Sequence, residues 1–451
     1  MAKRYEMNMT QGRLAPMILK FTIPLMFTSI LQLLYNAVDV IVVGRYVGST
    51  ALAAVGSNSS LINLIINAFM GLSIGAGVIL AQAYGAKDLD KCHKIVHTSI
   101  TISLFSGIFL AIFGYFVCQP LLKLMGTPAD VIDQATTYMK IYFLGMPGFM
   151  FYTFGSAIMR TVGDTKRPLV FLSISGFVNV FLNLILVIVF NMGVSGGAIA
   201  TIVSQYLSAV FVALSLLKSE GVTHVYLKEL KIHWKILLQM IKMGLPIAIQ
   251  SSVFSISNVL IQSSVNSFGS DVVAGNAAAI NVEGILYVAM NSFSQAATTF
   301  VAQNFGAKEY KRVTQSVLIS LSFAVGIGLI LCPLTVVFGE PLLRIYCPDN
   351  NLAIQYGMVR FMYICIPYVM CGVMDVFGNA IRGTGRSLMS MVVSVVGVCG
   401  IRIVWILTVF PIFRTLESLY ISYLLSWTVT SLIHLGCFIY IKKTKLKPIS
   451  E

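Results

Sequence analysis

Three carboxylates lie inside long apolar stretches of this chain: Asp39, Glu283 and Asp375. A carboxylate at the centre of a bilayer costs on the order of 3 kcal/mol on insertion scales, so each asks for a reason. Asp39 supplies one through its neighbours. Gln32, Tyr35, Asn36 and Asp39 fall at i, i+3, i+4 and i+7, which a helix stacks on one face. Such a stripe in an apolar helix either lines a water-filled cavity or ties the helix into a bundle. In the first reading Asp39 is an exchange point: burial disfavours its ionised form, and entry of H⁺ or Na⁺ neutralises it.

Other polar groups in apolar runs extend this pattern. Asn179 and Asn183 share a helix face at i, i+4, and Thr201 begins the polar trace of the following run. Amide and hydroxyl oxygens are hard ligands that suit Na⁺, hydrogen-bond a protonated carboxyl, or serve simply as polar glue between helices. Further along, Ser255, Asn258 and Gln262 make a second polar face. Set across an axis from Gln32 and Asn36, it would form a weakly polar, Met- and aromatic-rich substrate cavity. Arg402 lies midway along an apolar run and offers a charge partner to Glu283 or Asp375. Pro24 and Pro246 interrupt helical runs near their starts, as hinges or as static kinks.

Several chemistries are set aside. There is no GxxxxGK[ST] phosphate loop. Cys92, His93 and His97 cluster without the glutamate a zinc hydrolase requires, so no metal site is expected. His224, His233 and His434 are scattered. The eight cysteines show no CxxC spacing and read as packing residues. No cofactor is implied, and no enzymatic cluster of acids or histidines gathers at one membrane interface.

The elements that must position these groups are membrane helices. The chain is 57% hydrophobic and only 11% charged, against about 25% charged in an average soluble domain. Twelve apolar stretches reach the length a helix needs to cross a bilayer. They fall near 14–43, 52–83, 93–117, 134–159, 168–190, 194–217, 236–266, 272–304, 313–338, 355–381, 387–410 and 418–441. Gly71, Gly75 and Gly77 in the second suit close helix packing. Residues 1–13 are polar and the first apolar run is too long for a signal-peptide core, so no cleavable leader is expected.

All but seven of the 31 basic residues occupy the termini and alternate gaps between spans. The exceptions are Arg45, Lys123, Lys140, Arg344, Arg360, Arg402 and Arg414. This bias places both termini in the cytoplasm of a multi-pass protein of the cell membrane, inner or plasma. The net charge of +14 is thereby topological, and nucleic acid is not an expected partner.

The chain also repeats itself. Lys20-Phe-Thr-Ile-Pro24 returns as Lys242-Met-Gly-Leu-Pro246, and Asn36 as Asn258. Ala81-Gln82-Ala-Tyr-Gly85-Ala86-Lys87 returns as Ala302-Gln303-Asn-Phe-Gly306-Ala307-Lys308, and Pro147 is answered by Pro367. The expected architecture is all-α and integral to the membrane, with twelve helices in two pseudo-symmetric six-helix lobes. Residues 1–217 form the N-terminal lobe, 218–235 a cytoplasmic linker and 236–451 the C-terminal lobe. Parallel repeats of this kind hold substrate between halves that rock.

Taken together, the motifs resemble the multidrug and toxic compound extrusion (MATE) family. The resemblance rests on Pro24 fifteen residues before Asp39 with Gly44-Arg45 after it, on the paired Gln82 and Gln303 motifs, and on Met159-Arg160-Thr-Val-Gly163-Asp164-Thr-Lys166. Asn179 with Asn183, Gly197-Ala-Ile-Ala-Thr201 and Ile381-Arg382-Gly-Thr-Gly385 complete it. It implies an antiporter, monomeric in the lipid bilayer, that exports small cationic or amphiphilic organic compounds against H⁺ or Na⁺. By resemblance Asp39 matches the acid of an N-lobe cation site. The family carries asparagine, aspartate or asparagine, and threonine at the positions of Asn179, Asn183 and Thr201. The chain departs from the family in its seventh span, where residues 236–266 contain no acid, so Glu283, Asp375 and Arg402 form only a possible C-lobe polar site. The rival readings are a lipid-linked saccharide flippase, which needs several cavity-lining cations for pyrophosphate, and an integral membrane enzyme.

Overall fold

The computed structural model describes residues 6–128, 130–348 and 350–446; Lys3, Arg4 and Lys447, counted above among the basic residues, lie outside them. The first half comprises α1 (Leu14–Tyr46), α2 (Ser49–Gly85), α3 (Leu89–Leu124), α4 (Ile132–Leu144), α5 (Met146–Thr161), α6 (Lys166–Leu184) and α7 (Gly193–Leu217). The second half comprises α8 (Trp234–Asn266), α9 (Ser270–Gly306), α10 (Tyr310–Val337), a short α11 (Gly339–Arg344), α12 (Asn351–Arg360) and α13 (Tyr368–Gly383). It ends with α14 (Ser387–Ser394), α15 (Ile401–Thr408) and α16 (Leu416–Lys445).

Among the described residues ten helical runs are long and apolar enough to cross a membrane alone, and two bent pairs, each taken as one span, bring the number to twelve. The pairs are α4 with α5, bent by 48°, and α12 with α13, bent by 45°. Pro147 opens α5 and Pro367 caps α13. Each proline removes a backbone donor and clashes with the preceding turn, so the two expected spans break at repeat-related prolines. Short π-helical segments, Phe361–Cys365 before α13 and Val395–Gly400 between α14 and α15, loosen the tenth and eleventh spans. Large apolar side chains such as Phe116, Phe177, Val259 and Leu407 are more than half exposed, the surface a hydrocarbon solvent requires.

The repeat is reproduced in the backbone. Lys87 and Lys308, 221 residues apart, both take a left-handed conformation, with φ of 58° and 60°. A non-glycine residue at such an angle costs of order 1 kcal/mol, and both turns carry it at the same place.

The described residues form two compact units, with one junction between Asn8 and Met9 and the other two inside α1 and α8. One unit holds 6–8 and Ile23–Gly244; the other holds Met9–Thr22 and 245–446. The junctions therefore differ from the expected 217/218 and 235/236. Packing explains the shift. A Cβ added to Gly75 would stand 2.8 Å from the Gly244 nitrogen and the Met240 carbonyl, and one added to Gly244 would stand 2.5 Å from the Gly71 carbonyl. This backbone-to-backbone approach, the packing that Gly71 and Gly75 suit, holds the first turns of α8 to the N-terminal unit. In the other unit, the Arg312 guanidinium donates to the carbonyls of Gly12 and Met9, each at 3.0 Å, and Asn304 Nδ2 donates to Met9 at 3.2 Å. Phe21 meets Phe300 edge-on, with ring centroids 5.7 Å apart.

The segment 218–235 is folded onto α3. The Tyr226 amide donates to His97 Nε2 at 3.0 Å, the His233 amide donates to Thr98 Oγ1 at 3.2 Å, and Glu229 meets His93 at 3.1 Å. The fold thus brings an acid to the His93 and His97 pair that sequence proximity did not supply. His97 is spent on the fold, however: its Nδ1 bonds the His93 carbonyl at 2.8 Å while its Nε2 accepts from Tyr226. The cluster reads as a clasp. Deleting a buried bonded imidazole costs about 1–3 kcal/mol. His97→Ala should therefore speed tryptic cleavage after the exposed Lys228 and Lys231 by at least fivefold, followed by gel electrophoresis of detergent-purified protein; an unchanged rate would show that His97 does not hold the segment.

Candidate functional site

The three residues expected around the first carboxylate, Asn179, Asn183 and Thr201, converge on it. Asn183 Nδ2 on α6 donates to Asp39 Oδ1 at 2.6 Å, and Thr201 Oγ1 on α7 lies 3.4 Å from Asp39 Oδ2. Asn179 Nδ2 donates to Thr201 Oγ1 at 3.5 Å. The single hydroxyl proton of Thr201 is shared between Asp39 and the Gly197 carbonyl, 3.0 Å away. Helical spacing carries this arrangement: Asn179 and Asn183 sit one turn apart, and both are buried.

Because an ionised carboxylate only accepts hydrogen bonds, Asn183 must turn its NH₂ to Asp39, which directs its carbonyl elsewhere. The carbonyl oxygens of Asn183 and Asn179 are both buried and make no hydrogen bond. A buried polar atom left without a partner costs about 1–3 kcal/mol. Both oxygens belong to residues bonded into the Asp39 network through their NH₂ groups, and a turn of either amide would present a hard oxygen ligand to a small cation at the carboxylate.

Tyr35 crosses from α1 to α6, donating from its hydroxyl to the Ser173 carbonyl at 3.4 Å. Its ring lies so close over Gly176 that an added Cβ would fall 1.9 Å from ring carbons. Gln32 and Asn36, on the same stripe, are exposed.

In the C-terminal unit a cavity of about 660 Å³ is lined by Asn258, Gln262, Glu283, Asp375 and Arg402, among others. The polar residues singled out in this half, Ser255 excepted, therefore reach one place, but their pairing differs from expectation. Glu283 takes a bidentate bridge from Arg360, Nε to Oε1 at 2.9 Å and Nη2 to Oε2 at 2.7 Å. Arg360 also donates to Asn276 Oδ1 at 2.7 Å. Asp375 accepts from Asn291 Nδ2 at 3.4 Å. Arg402 pairs with neither acid. It donates from Nε to Ser426 Oγ at 3.0 Å and lies over the Tyr423 ring, 4.0 Å from its centroid. The reason is register: α12 delivers Arg360 to Glu283, whereas α15 lays Arg402 on the aromatic face of α16.

A family profile described as MatE matches residues 24–185 and again residues 246–408. The two matched segments begin at Pro24 and Pro246 and together cover most of the chain. This chain belongs to the MatE family. Its curated relatives include a probable multidrug resistance protein, YoeA, of Bacillus subtilis, 27% identical over 94% of this chain and 93% of the relative. The probable multidrug resistance protein NorM of Thermotoga maritima is 26% identical over 86% and 83%. Among solved structures, the outward-facing conformation of a multidrug resistance MATE family transporter superposes with a TM-score of 0.89, at 21% identity, over 97% of this chain and 98% of that one. The twelve-helix, two-lobed MATE architecture is thereby established, and the MatE chain is a membrane transporter rather than an enzyme.

Sequence reasoning missed three groups around the two MatE sites. Tyr138 and Tyr142 stack on α4, with rings 6.0 Å apart, and α4 packs against α7, the helix that carries Thr201. Their i, i+4 spacing was visible, but nothing in the sequence tied α4 to α7. Arg360 figures in the sequence only as one of the seven basic residues outside the termini and alternate gaps, yet it is 4% exposed and neutralises Glu283. The signal available was a second arginine in an apolar run with no acid nearby in sequence.

Proposed function

We propose that this MatE transporter exports small cationic and amphiphilic organic compounds in exchange for an inward-moving H⁺ or Na⁺ that binds at Asp39. The observation that carries the proposal is the network at Asp39: a carboxylate within hydrogen-bond range of Asn183 and Thr201, with the carbonyl oxygens of Asn179 and Asn183 buried and without a hydrogen-bond partner. Protonation of Asp39 or entry of Na⁺ removes the charge that Asn183 and Thr201 solvate, and the local bonds rearrange. Release of that cation on the other side resets the carboxylate. A transporter of this kind needs two states that the ion and the compound bind differently.

The exposed face of α1 around Gln32, Tyr35 and Asn36 is the substrate path in this reading. Pro24 and Pro246 are its hinges, which accords with unit junctions that fall one residue before Ile23 and Leu245, beside each proline. Both termini face the cytoplasm of the inner or plasma membrane, consistent with the Lys and Arg bias; the transporter acts as a monomer and needs no cofactor. A flippase is less well supported, because Arg360 is neutralised by Glu283 and Arg402 alone does not match a pyrophosphate.

Reconstituted vesicles loaded with a fluorescent organic cation test the proposal when ΔpH and ΔNa⁺ are imposed one at a time. One gradient should accelerate efflux at least tenfold over the gradient-free rate. Efflux that responds to neither gradient would refute ion exchange.

A further inference from the structure

We infer that the cavity of the C-terminal unit is a binding site for an aromatic organic anion, with its acid group seated on Arg402. The inference concerns equilibrium binding in one unit and is independent of ion exchange at Asp39.

Charge is the first ground. Arg402 is only 5% exposed, and no carboxylate among the described residues pairs with it. The other cavity arginine is different, because Arg360 is neutralised by Glu283 through two hydrogen bonds. Asp375 lines the same cavity but accepts from Asn291 and makes no ion pair with Arg402. A buried charge without a counter-ion is costly to keep, and here a cavity stands beside it.

Geometry is the second. The guanidinium carbon lies over Tyr423, 4.0 Å from the ring centroid, with the Trp427 ring at 5.6 Å. An arginine has five N–H donors in a planar fork. Only Nε is hydrogen-bonded to a described residue, at Ser426. The terminal nitrogens are thus left for a ligand, and theirs is the edge that binds carboxylate or sulfonate bidentately. The cavity of about 660 Å³ lies within the 300–1,000 Å³ range of small-molecule sites. Phe254, Tyr287 and Trp427 supply apolar walls for a ring.

Three probes with one ring system and three charges test this: 2-naphthoate, 2-naphthamide and 2-naphthylmethylammonium. Each is titrated calorimetrically into the full-length protein in phosphatidylcholine nanodiscs, with empty nanodiscs subtracted. Naphthoate should bind at least tenfold more tightly than the neutral amide. Arg402→Gln should erase that preference and leave the amide unchanged; Arg402→Lys, which keeps the charge without the fork, should retain part of it. If Arg402→Gln does not fold, the ranking of the three probes on the wild-type protein decides alone. Equal affinities, a preference for the ammonium, or an anion preference untouched in a folded Arg402→Gln would each overturn the inference. Repeating the titration in nanodiscs that contain phosphatidylglycerol identifies the source of the acid. Competition by that lipid assigns the site to a lipid headgroup, and unaltered naphthoate binding assigns it to a soluble compound.

Discussion

Asp39→Asn should lower gradient-driven export at least 100-fold in reconstituted vesicles while leaving the thermal midpoint of the detergent-solubilised protein within a few degrees of wild type. The substitution keeps shape and volume and removes one charge. A cation about 4 Å from a carboxylate gains on the order of 4 kcal/mol at an effective dielectric of about 20. At 1.4 kcal/mol per factor of ten, losing that interaction weakens cation binding by about three orders of magnitude. The fold should tolerate the change, because Asn can turn its amide oxygen to Asn183 Nδ2 and Thr201 retains the Gly197 carbonyl as its acceptor. Export of a fluorescent cation that stays gradient-dependent at the wild-type rate in this variant would end the exchange scheme at Asp39.

Glu283→Gln is expected to damage stability rather than coupling. Glu283 and Arg360 are each about 5% exposed and joined by two hydrogen bonds. Removing one member of such a pair leaves a buried charge uncompensated, which costs about 3–5 kcal/mol. For a unit of this size that corresponds to a fall of about 10 °C in midpoint. The double variant Glu283→Gln, Arg360→Gln should regain more than half of the loss, since it removes both charges together. Midpoints read from intrinsic fluorescence in detergent would measure the series. If the single and double variants melt alike, the pair is not coupled, and Arg360 is held by Asn276 and the Tyr420 and Tyr423 rings instead.

The contrast between these two acids shows how far the residues speak for themselves. Asp39 was legible because the stripe Gln32, Tyr35, Asn36 and Asp39 follows the 3.6-residue period, as does the pair Asn179 and Asn183. The period does not join the two patterns; the resemblance to the family did, and the structure brings Asp39, Asn183 and Thr201 into hydrogen-bond range. Glu283 was not legible, because neither a period nor the resemblance links it to Arg360. Arg402 looked an equally good partner by hydropathy alone.

By itself the sequence determined that this chain is a bundle of membrane helices built twice over. Apolar run length, the rarity of charge and the spacing of repeated motifs are properties of the linear chain, and a bilayer leaves a helix as the only economical way to satisfy each backbone group. Tertiary structure alone decided which buried charge meets which. It set Arg360 on Glu283, left Arg402 facing a ring and a cavity, and drew Glu229 to His93. Pairing between helices depends on their rotation and depth against one another, and the period of a single helix carries no record of either.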